Sequence, residues 1–191
     1  MLRFMASIMA AIHLAGCGAY FETVGPLTDY HQDDSTLVGS WANEDMHLVF
    51  ESGPDQIDHF CAEGDGDLIR GDVHIIPAGE ISLLIFSNLS GFKDSLAPSA
   101  NGSLILGATQ IDNVLRIQNS FGEIDESDTL PFATHCPQTV QNEHFASYVP
   151  FCISRGATPQ DVANWITETL PNEETIRFDR TRNVPDRCGQ N

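Results

Sequence analysis

The chain has 191 residues, with 27 acidic against nine basic side chains and a formal net charge of -18. A surface this acidic repels phosphate backbones and anionic lipid headgroups, which argues against a nucleic-acid partner and against membrane binding through a basic patch. The length suits one domain with a sizeable core.

The chain opens MLRFMASIMAAIHLAGCGAYFE. Arg3 supplies a positive start, and residues 4–14 form an apolar stretch broken only by Ser7 and His13. That stretch is too short to cross a bilayer as a helix and has the length of the apolar region of an export signal. Leu14-Ala15-Gly16-Cys17 follows, and at this position the tetrad resembles the lipobox of bacterial lipoproteins. The resemblance implies cleavage between Gly16 and Cys17, thioether diacylation of Cys17, and acylation of the new N-terminus by a fatty acid such as palmitate. It also implies a periplasm-facing protein held in the envelope membrane by lipid alone. Gly18, where an aspartate would signal inner-membrane retention, points to the outer membrane. An ordinary secretory signal, with Cys17 left as a thiol, is the alternative. Residues 1–16 then form the signal peptide and residues 17–35 a lipidated cysteine with a flexible tether. The mature chain would carry -19, because the removed segment holds Arg3 and no acid.

From residue 36 to 182 the pattern is that of a β-rich globular domain. Met46, Leu48 and Phe50 alternate with His47, Val49 and Glu51, and Ile57, His59 and Cys61 alternate with Asp58 and Phe60. Residues 67–76 read as a strand ending at Pro77, residues 77–80 as a turn, and residues 81–86 as a largely apolar strand. Residues 103–108 and 113–118 form a further pair joined through 109–112. Residues 122–128 are acidic and read as a loop, and 130–148 carry no clear period. Such short runs, bounded by Gly, Pro, Asn and Asp, predict an antiparallel meander. Thr158-Pro159-Gln160-Asp161 supplies an N-cap hydroxyl, a proline at the first helical position and a carboxylate near the amide-rich end. Val162, Trp165, Ile166 and Leu170 then recur at helical spacing up to Pro171. A last strand follows over 175–180, with Ile176 and Phe178 on one side. Residues 183–191 read as a tail, loose unless Cys188 pins it. The fold class expected is mainly β, an antiparallel meander closing to a barrel or curled sheet, with one C-terminal α-helix.

Gly39-Ser40-Trp41 at the start of the domain is similar to the first-strand signature of lipocalin-like barrels. The resemblance implies that Trp41 closes one barrel end and stacks with a late arginine, for which Arg177 and Arg180 are the candidates. The sequence departs from that family in lacking a Thr-Asp-Tyr motif between its middle strands; Thr28-Asp29-Tyr30 lies before the tryptophan.

With Cys17 assigned to lipid, Cys61, Cys136, Cys152 and Cys188 remain, an even number that in an exported chain favours two disulfides. Of the three connectivities, Cys61–Cys188 with Cys136–Cys152 is the one expected. The sequence has no Cys-x-x-Cys, Gly-x-Ser-x-Gly, His-Glu-x-x-His or phosphate-binding glycine motif. His31, His47, His59, His74, His135 and His144 are scattered singly. On the strand pattern His47 faces solvent and His59 is half-buried, while His135 and the Glu143-His144 pair have the chemistry to converge. Glu63-Gly-Asp65-Gly-Asp67 lacks the glutamate that would complete an EF-hand calcium loop, so it reads as an acidic turn. No catalytic residue, metal or cofactor is expected. The functional expectation is a lipid-anchored envelope module that binds a small apolar ligand. The alternatives are a scaffold that docks on another envelope protein, or an enzyme assembled from dispersed histidines and carboxylates.

Overall fold

The structure, a computed structural model, describes residues 19–23, 25–28, 36–53, 58–64, 67–91, 103–118, 129–136, 149–169, 175–185 and 187–188. Eight strands each turn one face into a shared apolar core, and several of them bury residues on their outward face as well. These are β2 (Gly39–Ala42), β3 (Met46–Glu51), β4 (Asp58–Gly64), β5 (Asp67–Ala78), β6 (Ile81–Ser90), β7 (Leu104–Ile111), β8 (Val114–Gln118) and β11 (Thr175–Thr181). They close into an antiparallel barrel in the order β11-β2-β3-β4-β5-β6-β7-β8. The last strand seals it, with Arg180 opposite Trp41 on β2 and Phe178 opposite Leu115 on β8. Closure leaves no free edge for stray pairing.

The register sets which side chains fill the barrel. Trp41, Leu48, Ala62 and Ile69 lie in one row across β2 to β5. Together with Phe50, Phe60, Val73, Leu84, Phe86, Leu115 and Phe178 they form the inner core. His59 and Cys61 lie on the outer face of β4, because Phe60 and Ala62 take the inner positions. His59 is thus exposed, not half-buried as expected, with 51% of its side chain accessible. His47 differs in the other direction: it faces outward but is only partly exposed, and its Nδ1 is enclosed.

A second layer covers one side of the barrel. β1 (Ala19–Thr23) runs parallel to β10 (Val149–Ile153), which pairs antiparallel with β9 (Ala133–His135). A single helical turn, α1 (Gly25–Thr28), follows β1, and α2 (Pro159–Thr169) follows β10. Phe21, Leu27, Phe132, Phe151, Ile153, Val162 and Ile166 pack on the outward residues of β5 to β7, Ile76, Leu83, Ile85 and Ile105 among them. Residues 19–23, expected to belong to a flexible tether, are therefore part of the folded body, joined to β7 through a bridge between Phe21 and Ser103.

Three strand ends also differ from expectation. β5 continues through Pro77 to Ala78, because the proline stands beside the hairpin turn, where one missing donor costs little. β7 runs on to Ile111, and the turn to β8 is the pair Asp112-Asn113, with Asp112 at φ 56°. β6 extends to Ser90 rather than stopping at Phe86. Gly79, at φ 69°, makes the β5–β6 turn, and Gln160 of α2 lies so close that a Cβ there would stand 2.9 Å from its amide. Both expected disulfides form, Cys61–Cys188 and Cys136–Cys152, with Cα atoms 5.8 and 5.1 Å apart. The first ties the tail back to β4.

Candidate functional site

Two places gather side chains that a ligand or reaction would need: the barrel interior, and the outer face of β3 to β5 beneath the C-terminal tail.

Inside, one end is plugged. Trp41 is fully buried and its Nε1 donates to the Leu37 carbonyl at 2.9 Å. The Arg180 guanidinium carbon sits 5.1 Å from the Trp41 ring centroid, and Nη2 donates to the Val38 carbonyl at 2.8 Å. Gly39, at φ 134°, leaves room for that guanidinium; a Cβ there would lie 3.0 Å from Nη2. Of the two arginines considered, Arg180 takes the place over the tryptophan. Arg177 points outward and pairs with Asp179 at 2.8 Å. Above this plug, Phe60 meets Phe50 at 5.7 Å and Phe86 at 4.7 Å between ring centroids, so aromatic side chains fill the middle of the barrel.

The opposite end is different. Leu104 at the start of β7, Leu106 two residues on, and Ile176 at the start of β11 all face inward against the core. Each keeps part of its surface accessible to solvent, as does Leu89 near the end of β6. Inward apolar side chains in a closed barrel touch solvent only where the barrel opens. Ile176 shares the sequence-expected face with Phe178, and spacing by two along β7 places Leu104 and Leu106 on one face, but no residue type marks any of them as the end of the barrel.

On the outside, Val49, Cys61 and Cys188 form a small buried cluster with Leu68 beside it. Next to it is a pocket of about 110 Å³ lined by Glu51, His59, Arg70 and both cysteines, among others. His59 Nδ1 lies 3.2 Å from Asp72 Oδ1, and Asn88 Nδ2 donates to Asp72 Oδ2 at 2.7 Å. The carboxylate thus orients the imidazole, the arrangement that sets up a base or a metal ligand. None of the side chains lining the pocket is a serine, a threonine or a free thiol. Among the described residues no three His, Cys, Asp or Glu side chains are placed to hold a metal ion.

No protein family, curated protein or solved structure matches this chain. Gly16 and Cys17 lie outside the described residues, as do His31, His144, Glu143, Asp65 and the acidic segment 122–128. His135 is on β9, exposed, with its ring 4.7 Å from that of Phe151. Among the described residues no helix is long and apolar enough to cross a membrane.

Proposed function

We propose that this chain is an exported, lipid-anchored envelope lipoprotein, and that its barrel is a non-catalytic binding module for a small apolar ligand entering at the end remote from Trp41. The observation that carries the binding reading is the residual solvent exposure of inward-facing Leu104, Leu106 and Ile176 at one end of an otherwise buried apolar interior. Apolar walls of this kind suit an acyl chain or a comparable hydrocarbon, whose transfer from water contributes about 25 cal/mol per Å² buried. Two disulfides within one domain support an oxidising compartment, and hence export. Docking on a protein through an apolar patch has less support. Among the described residues the exposed large apolar side chains are Ile111 and Val184, too little area for a stable interface.

If Cys17 carries the lipid, only Gly18 separates it from β1. The anchor then joins the folded body almost directly, and the sheet of β1, β10 and β9 is the part held nearest the membrane. Two or three acyl chains, at about 0.8 kcal/mol per buried methylene, would fix it there without help from the protein surface.

Titration of the oxidised full chain with N-phenyl-1-naphthylamine, an uncharged dye that brightens in apolar surroundings, tests the binding reading. Saturable binding is expected, and Leu106→Arg should weaken it at least tenfold. Leu104→Arg is the second variant, and unchanged circular dichroism shows that each folds. No saturable signal, or binding indifferent to both substitutions, would overturn it. Mass spectrometry of the N-terminal peptide from a membrane fraction tests the anchor: a diacylated Cys17 is expected, and an unmodified Met1 would sink it.

A further inference from the structure

We propose that the Cys61–Cys188 disulfide is a thiol-exchange site, opened by a dithiol that enters the pocket beside it, whereas Cys136–Cys152 is a permanent structural bond. Three observations lead there. The first is access. Cys61 and Cys188 are 7% and 5% exposed overall, yet both line the 110 Å³ pocket, so a small thiol reaching the bond has a path to it.

The second is the leaving group. Arg70 stands directly opposite Cys61 across the β4–β5 ladder, and His59 lies on the same outer face of β4 two residues before it. A cationic neighbour lowers a thiol's pKa, and the thiol with the lower pKa departs faster from a disulfide under attack. Three carboxylates share this face: Glu51 lines the pocket, Glu63 is engaged by Arg187 Nη1 at 3.3 Å, and Asp72 is engaged by His59 Nδ1 at 3.2 Å. Arg70, in register with the sulfur-bearing residue, is the group that favours Cys61 as the thiolate.

The third is what each bond holds. Cys152 lies within β10, paired with Thr134 of β9, so breaking Cys136–Cys152 leaves the ladder of the small sheet in place. The described part of the tail that carries Cys188 belongs to no strand. Besides the disulfide, its described contacts with the barrel include the Arg187–Glu63 pair and the hydrogen bond from Arg70 Nη2 to the Arg187 carbonyl, both at exposed side chains. Opening Cys61–Cys188 therefore frees the tail and uncovers Val49, which is packed beneath Cys188.

A thiolate of the dithiol attacks Cys188 Sγ, the Sγ–Sγ bond breaks, and Cys61 leaves as a thiolate beside Arg70. The second thiol of the reagent then attacks the mixed disulfide and releases Cys188. Two electrons and two protons pass to the protein, and the dithiol ends as its own disulfide.

The test is native-state reduction of the oxidised full chain with dithiothreitol, with alkylation of released thiols and peptide mapping over time. Cys61 and Cys188 should be labelled at least tenfold faster than Cys136 and Cys152. Equal rates, or the reverse order, would overturn the proposal. The part played by Arg70 is read separately in a Cys188→Ser background, where the tail is already free and Cys61 is a lone thiol. There Arg70→Met should slow iodoacetamide alkylation of Cys61 at neutral pH by about three- to tenfold and raise its apparent pKa, while Arg70→Lys restores both. Identical alkylation in all three would remove the reason for Cys61 to leave and sink the mechanism.

Discussion

Gly39 does two jobs in one position. Its φ of 134° is one that side-chain-bearing residues rarely adopt, and its missing Cβ admits the Arg180 guanidinium that lies over Trp41. Gly39→Ala should therefore cost about 1–3 kcal/mol, read as a lower urea midpoint. Arg180→Ala should cost less, about 0.5–1 kcal/mol, because the arginine is exposed and its cation–π contact is correspondingly weak. Combining the two separates the causes. With Arg180 gone the steric part of the Gly39→Ala penalty disappears and the backbone part stays, so the double variant should lose less than the sum of the singles. Strict additivity would mean that the guanidinium never pressed on residue 39.

At the level of elements, α2 is the piece whose start is written most plainly. Thr158 Oγ1 accepts from the Asp161 amide at 3.2 Å, and Asp161 Oδ2 accepts from the Thr158 amide at 2.8 Å and its hydroxyl at 2.7 Å. This is a reciprocal cap. Thr158→Ala should cost about 1 kcal/mol at neutral pH. The hydrogen bonds from Thr158 hold the Asp161 carboxyl below its ordinary value of 3.8. A depressed carboxylate stabilises the folded state fully above its unfolded pKa, and that contribution is lost as pH falls through the folded value. The gap between wild type and Thr158→Ala should therefore narrow as pH drops below 3.8, in urea melts run along the pH axis. A gap that stayed constant would show that the carboxylate is not coupled to the cap.

The barrel strands were legible for a similar reason: period two marks a strand with one wet face, and β3, β8 and β11 show it. β6 was legible as a strand but not as one buried on both sides, although the run Leu83, Leu84, Ile85, Phe86 signals that a second layer covers it. The covering layer was not foreseen. β9 has three residues, β10 contains a proline, and β1 sits in a stretch that looks like linker, so none carries a period of its own. Their positions follow from packing on the barrel exterior, a long-range cause that a local pattern does not hold. The site divides the same way. Gly39 and Trp41 announced the plugged end, and Arg180 its partner, but the open end is defined by Leu104, Leu106 and Ile176, residues ordinary in type and distinguished only by where the barrel stops. Arg70 opposite Cys61 is likewise a fact of register.

For the molecule as a whole the dominant electrostatic fact is self-repulsion. A charge of -18 on one compact body raises the energy of the folded state relative to a chain that spreads its carboxylates apart. Attractive pairs do little against this. Arg177–Asp179 is solvent-accessible and Arg187–Glu63 is partly so, and surface pairs contribute about 0–1 kcal/mol each. Salt weakens both terms, but the repulsion involves far more charges, so screening should favour the folded state on balance. The Debye length falls from about 30 Å at 0.01 M to about 3 Å at 1 M, shorter than the spacing of most surface charges. The thermal midpoint of the oxidised protein should therefore climb with sodium chloride across that range, most steeply at the low end. A midpoint that stayed flat or fell would show that local pairs outweigh the net charge. The same field bears on the proposed anchor. A body this negative is pushed away from anionic headgroups, so a protein held at a membrane by Cys17 would be attached through its lipid and not through its surface.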